Sequence, residues 1–315
     1  DVTGVQTCAL PICLYDPAAG PDGFGKPQAD LVDEWYGNGR AWVPAIDRAR
    51  DWLAATRPDV IGFQEIFHPG ECADIPEEAW TGFVCDGWTE GMPTVAQMIL
   101  GEGGQVMCHP GQSDKCAAVH RRLGRFRGCD DDLCLEGMAG SIIDGCSRGC
   151  RVGRGVIDLW DAGGSLTLVN IHGSSGIAQE DHECRVRQID QIFLDLGLGD
   201  GEPGANGARN VVLGDFNTDP GRMAEADASA ARLLDFVGPD KDFAFLDEVG
   251  VDATPTYAGF FNIDHVLTDA GTGSCWAAGV TPGHAEVADF LHFDHTPLVC
   301  DLTLANPDTS AGRGL

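Results

Sequence analysis

Seven polar or ionisable residues recur in this 315-residue chain at the places where short apolar runs begin or end. Glu65 follows the run at 60–63, His172 follows 166–171, and Asp215 and Asn217 follow 210–213. Asp264 lies within 263–267, and Asp294 and His295 precede the alternating stretch 296–304. Apolar runs of this length read as buried strands, and strand ends are rigid supports at which α/β sheets place their ligands. Four carboxylates, an amide and two imidazoles gathered there suit a hard, oxygen-loving metal ion, with acid–base groups around a phosphate. Each residue also has a plainer reading. His172 could be a satisfied core histidine, Asp215 and Asn217 an Asx turn, Asp294 and His295 surface residues, and Glu65 a helix-start residue.

The intervening sequence supplies elements able to hold such a set. Trp42, Ile46, Ala49, Trp52 and Leu53 recur at helical spacing up to Pro58, and Val186, Ile189, Ile192, Phe193 and Leu196 mark a second helix. Strands are expected at 60–63, 116–120, 156–160, 166–171, 210–213 and 263–267. In 296–304, Leu298, Cys300, Leu302 and Leu304 share one face. Residues 14–39 read as loop, and a turn is expected at 161–164. Helices and strands interleave with no linker or repeat, so one α/β domain is the economical reading, ending in a disordered tail from 305.

Composition narrows the setting. The chain is 43% hydrophobic and 22% charged, as globular proteins are, and no run of about 18 apolar residues could span a membrane. Its net charge of −29 repels nucleic acid and anionic membrane in general, so a polyanionic substrate needs a local basic patch or a metal. The plainer account of that charge is solubility. His120, Arg121, Arg122, Arg125 and Arg127, echoed by Arg148, Arg151 and Arg154, form such a patch in sequence. Arg121, Arg122 and Arg154 are candidate phosphate contacts, unless these arginines pair with the acidic excess.

Eight of the thirteen cysteines lie between Cys72 and Cys150, with no C-x-x-C pair of the kind zinc favours. A disulfide-stapled insertion at about 70–150 in a secreted or periplasmic protein is therefore expected, against an alternative of free buried thiols. Residues 2–12 read VTGVQTCALPI, which resembles the translation of a sequencing-library adapter. On that reading residues 1–13 replace the native first strand, and any signal peptide is lost with it. Without Cys8 and Cys13, eleven cysteines remain, an odd number that implies a free thiol or a lost partner.

Five segments carry a family resemblance. Gln64-Glu65 ends a strand, Val169-Asn170-Ile171-His172 and Gly214-Asp215-Phe216-Asn217 end two more, and Asn262-Ile263-Asp264-His265 and Asp294-His295-Thr296-Pro297 follow in order. Together they resemble the endonuclease/exonuclease/phosphatase superfamily over residues 40–304. The resemblance implies a four-layer α/β sandwich, two mixed sheets face to face with helices outside. It implies that Glu65 binds Mg²⁺ (or Mn²⁺/Ca²⁺), with Asp294 a second ligand. Asp215 would deprotonate the attacking water, and Asn217 would fix Asp215 and bind phosphate. His295, held by Asp264, would donate to a phosphate oxygen or transfer a proton, and His172 would bind phosphate or assist the leaving group. Three departures stand out: Cys13 falls where the family's first strand has a metal-site Asn, Phe293 stands for a usual Ser, and the Cys-rich region has no family counterpart.

The expected activity is metal-dependent phosphodiester hydrolysis by a monomeric exported enzyme, with DNA or RNA favoured as substrate. A secreted phospholipid, sphingomyelin or small-molecule phosphoesterase is the alternative. A catalytically dead binding protein of the same fold is the reading from another class.

Overall fold

The computed structural model describes residues 2–3, 7–8, 23–37, 39–146, 149–160, 164–278, 280–281 and 295–305. Asp294, Phe293, Arg148, Cys13, residues 161–163 of the expected turn and the tail after 305 lie outside them.

Two mixed sheets form the centre. The first holds eight strands: β1 (Val2–Thr3), β2 (Thr7–Cys8), β3 (Val60–Phe63), β4 (Gly104–His109), β5 (Gln112–His120), β7 (Leu133–Cys134), β13 (Gly271–Ala277) and β14 (Leu298–Leu304). The second runs β11 (Ala244–Phe245), β12 (Asp264–Thr268), β10 (Asn210–Asp215), β9 (Ser165–His172), β8 (Val152–Leu159) and β6 (Gly124–Phe126). Helices α1 (Lys26–Trp35), α2 (Val43–Thr56) and α3 (Val95–Leu100) cover the first sheet, and α4 (Gln179–Phe193) and α5 (Ala228–Phe236) the second.

Strand alternation builds the layers. On β3, Val60 enters the core between the sheets, while Ile61 and Phe63 face the helices. On β9, Leu166 and Leu168 face inward while Val169 and Ile171 meet Ile189 and Ile192 of α4. The sheets approach so closely at Gly62 that a Cβ there would lie 2.0 Å from Leu213 Cδ1 and 2.9 Å from Asn170 Oδ1. The result is the four-layer α/β sandwich with helices outside.

Several elements differ from their sequence expectation. The stretch 14–39 contains α1, which buries Ala29 and Val32, followed by Tyr36, at helical spacing. Helix α4 starts at Gln179, seven residues before Val186, and the residues it buries ahead of Val186 are Cys184 and the polar Arg185. Polar burial hid that turn from a hydropathy pattern. Helix α2 ends as its sequence indicates, with Arg57 in the left-handed conformation (φ 54°) ahead of Pro58. The Cys-rich region contributes strands to the first sheet, where β5 pairs with β3 and β4 with β5.

Ten cysteines pair as Cys72–Cys85, Cys108–Cys116, Cys129–Cys134, Cys146–Cys184 and Cys275–Cys300, and Cys150 is a free, buried thiol. Two bridges join residues directly opposite on neighbouring strands, Cys108 with Cys116 and Cys275 with Cys300. No described helix is long and apolar enough to cross a membrane.

Candidate active site

Sheet topology brings the expected residues to one pole. Strands β9 and β10 run parallel with His172 opposite Asp215, and antiparallel β12 sets its first residue, Asp264, opposite Asp215. In the first sheet β3 ends just before Glu65, and β14, antiparallel to β2, begins just after His295. Since β2 runs parallel to β3, Glu65 and His295 share that pole.

The second sheet supplies the most tightly organised group. Gly214 (φ 141°) carries the chain so close to β9 that a Cβ would lie 2.0 Å from Ile171 O, so only glycine fits ahead of Asp215. Phe216 is buried against the outer helices. Asn217, at φ 51°, then folds back on Asp215. Its backbone N–H donates to Asp215 Oδ1 at 2.7 Å, and its Nδ2 donates to Oδ2 at 2.7 Å and to Gly173 O at 3.1 Å. The Asx turn is therefore present, and it is the device that orients the carboxylate.

Around this clamp the other groups converge. His295 Nδ1 lies 2.7 Å from Asp264 Oδ2, and the His295 ring packs on Tyr257 at 4.7 Å between centroids. Asp215, Asp264 and His295 each offer a ligand atom within 4.8 Å of the others. His172 Nε2 sits 3.6 Å from Asp215 Oδ2 and 3.8 Å from Glu65 Oε1. Glu65 adopts φ 53°, and its side chain is 26% exposed.

Electrostatics separates the roles of these groups. Burial pushes the Asp215 carboxyl up to about 7, with His295 opposing and Asp264 adding. Burial, then the charges of Lys115 and Arg151, hold His172 well below the ordinary histidine range, so at neutral pH it is an uncharged imidazole. Pairs of titratable groups driven apart in this way mark acid–base chemistry.

The donor set fits a hard divalent cation. Glu65 offers a partly exposed carboxylate, and Asp264 Oδ1 is buried with no hydrogen-bond partner among the described residues. Asp294, the second expected ligand, lies outside the described residues.

Two cations escaped notice or weight in the sequence. Lys115, 3% exposed, holds Asp114 at 2.6 Å and Gln112 at 2.9 Å at the start of β5. Burial lowers its pKa against the pull of Asp114. Arg151 donates from Nη1 to His172 O (3.4 Å) and Gly173 O (3.2 Å), bracing the turn that carries His172. A third unforeseen feature lies between the sheets, where Gln64 Nε2 donates to Asn170 Oδ1 at 2.6 Å, tying β3 to β9. Nothing in the local pattern marks Lys115, which precedes the apolar part of its strand.

The expected phosphate contacts fall elsewhere. Strand β5 runs antiparallel to β3, so Arg121 and Arg122, which follow its end, lie at the opposite pole. Arg121 pairs with Asp132, and Arg122 pairs with Asp59 at 2.5 Å and donates to Pro58 O at 2.8 Å. Arg154 shares the outer face of β8 with Val152 and donates to Pro203 O at 3.3 Å. Arg121 and Arg122 thus pair with acidic residues, whereas Arg154 meets a backbone carbonyl.

Comparison with known proteins agrees with this geometry. A sequence model described as the Endonuclease/Exonuclease/phosphatase family matches residues 28–289. The fold is similar to that of an endonuclease/exonuclease/phosphatase from Bacteroides vulgatus, at 14% identity and TM-score 0.52, covering 96% of this chain and 99% of that one. It is also similar to a functionally unknown conserved protein from Enterococcus faecalis V583, at 10% identity and TM-score 0.50, covering 96% of this chain and 100% of that one. The human Nocturnin catalytic domain with bound sulfate anion aligns at 12% identity and TM-score 0.48, over 84% of this chain and 87% of that one, and carries no argument at that score. No curated protein matches the sequence. At these identities the solved structures speak for the fold alone, whereas the match over 28–289 spans most of the chain. The protein is thus a member of the endonuclease/exonuclease/phosphatase family, and with it a phosphoric ester hydrolase.

Proposed function

We propose that the protein hydrolyses phosphodiesters by direct attack of water on phosphorus, with Asp215 as the base. The observation that carries this reading is the carboxylate of Asp215, gripped at both oxygens by Asn217; its burial pushes the pKa up to about 7. A base with its pKa near working pH combines a usable ionised fraction with real proton affinity. As the water oxygen bonds to phosphorus, its proton passes to Asp215 and negative charge grows on the non-bridging oxygens; the P–O bond to the leaving alkoxide or aryloxide then breaks, and that oxygen takes a proton from solvent. His295, oriented through Nδ1 by Asp264, donates from Nε2 to one of those oxygens. Neutral His172, braced by Arg151, turns Nε2 toward the same space and donates a hydrogen bond there. Family members are generally divalent-metal dependent, and an ion held by Glu65, with Asp294 as second ligand, would supply Lewis-acid neutralisation of the phosphate charge.

Five disulfides support an oxidising, extracellular or periplasmic setting. Arg121 and Arg122, paired with Asp132 and Asp59, do not argue for nucleic acid, and a chain of net charge −29 favours a small or weakly charged phosphodiester over a polyanion. The test is hydrolysis of an aryl phosphodiester beside plasmid DNA, in Mg²⁺ and in EDTA, with Asp215→Ala as control. It includes a chain in which residues 1–13 are replaced by sequence recovered from the source DNA. EDTA-sensitive ester cleavage that the substitution abolishes supports the proposal. Additional nicking of DNA restores the nuclease reading. Absence of all cleavage with the first strand replaced refutes it in favour of a binding protein.

A further inference from the structure

A second concave site lies on the outer side of the first sheet, near its β7 edge. It is a cleft of about 920 Å³, a volume suited to a small organic ligand. The chain reaches its rim at His68, three residues and at most about 11 Å of backbone beyond Glu65. Trp80 and Trp88 form its aromatic walls, with Leu133 and Leu135 beside them. The Cys72–Cys85 bridge ties the turn Pro69–Asp74 to the segment Val84–Asp86 that lines it.

Both indoles already have their N–H groups satisfied. Trp80 Nε1 donates to Ile75 O and Trp88 Nε1 to Pro93 O, each at 3.0 Å. What the two rings can offer a ligand is therefore their faces, not a hydrogen bond. The charges around them are all of one sign. Glu90, Asp131 and Asp132 line the cleft, and no Lys or Arg does. Arg121, which does not line the cleft, engages Asp132, and among the described residues Glu90 and Asp131 form no ion pair. The one basic group in the wall, His68, has its pKa lowered by burial. An anion is excluded by this rim and a neutral ligand gains nothing from it. A metal ion would find only carboxylates spread along an open edge. Aromatic faces beside carboxylates instead suit a weakly hydrated organic cation, whose spread charge meets the ring quadrupoles while its alkyl groups cover the apolar wall.

We propose that the Trp80–Trp88 cleft binds a small organic cation of the alkylated-ammonium class. This site is separate from Asp215 and its partners, and the proposal stands whether or not the chain hydrolyses phosphodiesters. Calorimetric titration of the full chain with choline, and with its neutral isostere 3,3-dimethyl-1-butanol, tests it directly. Saturable binding of choline, at least tenfold tighter than the isostere, is expected. Trp88→Ala should weaken that binding at least tenfold, and the exposed pair Glu90→Gln and Asp131→Asn several-fold, with far-ultraviolet circular dichroism unchanged. Equal binding of the isostere would show an apolar groove alone and overturn the proposal. So would the absence of saturable choline binding, or choline affinity unaltered in the charge variant. Should Trp88→Ala fail to fold, the charge variant, which touches only exposed side chains, decides the matter.

Discussion

Replacing Asn217 by Gly isolates the clamp on Asp215. Asn217 sits at φ 51°, where glycine is at ease, and the variant keeps the backbone N–H that donates to Oδ1. It removes only the Nδ2 contacts, at 2.7 Å to Asp215 Oδ2 and 3.1 Å to Gly173 O. A hydrogen bond to a buried charged group contributes roughly 1.5–3 kcal/mol, which at about 1.4 kcal/mol per pK unit raises the carboxyl by about 1–2 units. The lost bond favours the ionised form, so the sign is upward. From about 7, the carboxyl moves to roughly 8–9. At pH 7 the ionised fraction then falls from about one half to about 1–10%, a loss of about 5- to 50-fold in rate. Much of that loss should return at pH 9. The assay is the pH profile of kcat/KM on an aryl phosphodiester in saturating Mg²⁺, comparing the acid limb of the two proteins. A rate that drops equally at every pH, with the limb unmoved, would show that Asn217 binds substrate and does not tune the base. An unchanged profile would remove Asp215 from that role altogether.

Other perturbations probe the frame. Arg121→Ala and Arg122→Ala should leave kcat/KM within about twofold, because both side chains lie at the far pole. A tenfold loss in either would contradict that placement. Breaking Cys146–Cys184, which spans 38 residues, with paired serines should cost about 2–4 kcal/mol in urea unfolding, and an unshifted midpoint would show the bridge is idle. Buried His265 has its pKa raised: burial acts to lower it, but the charge and hydrogen bond of Asp247, with Nδ1 and Oδ2 2.8 Å apart, outweigh burial. The pair's stabilisation is therefore full below the unfolded histidine pKa of about 6.5 and fades as pH rises through the raised folded value. Urea midpoints measured from pH 5.5 to 9 should fall with pH in the parent more than in His265→Gln, and parallel curves would refute the linkage.

Much of the candidate site was legible along the chain because each part of it is local. A strand that must end in a clamped carboxylate needs Gly214 for close approach, Asp215 for the charge and Asn217 to fold back, all within four residues. Glu65, His172 and Asp264 likewise sit at strand ends whose apolar runs announce them. The odd count of eleven cysteines anticipated a free thiol or a lost partner, and Cys150 is a free thiol among the described residues.

What only tertiary structure decided depends on strand direction and face, which a single segment does not encode. Antiparallel β5 carries Arg121 and Arg122 away from the site and sets Lys115, at its other end, against it. An odd spacing of three residues separates Arg151, which braces His172, from the outward face of Arg154. The bridge Cys146–Cys184 joins a loop to a helix that lie 38 residues apart in the chain, and only the packed sandwich brings them together. Residue type and local order named the chemical groups, but the long-range register of two sheets determined which of them meet, since contact in space follows pairing and not proximity in sequence.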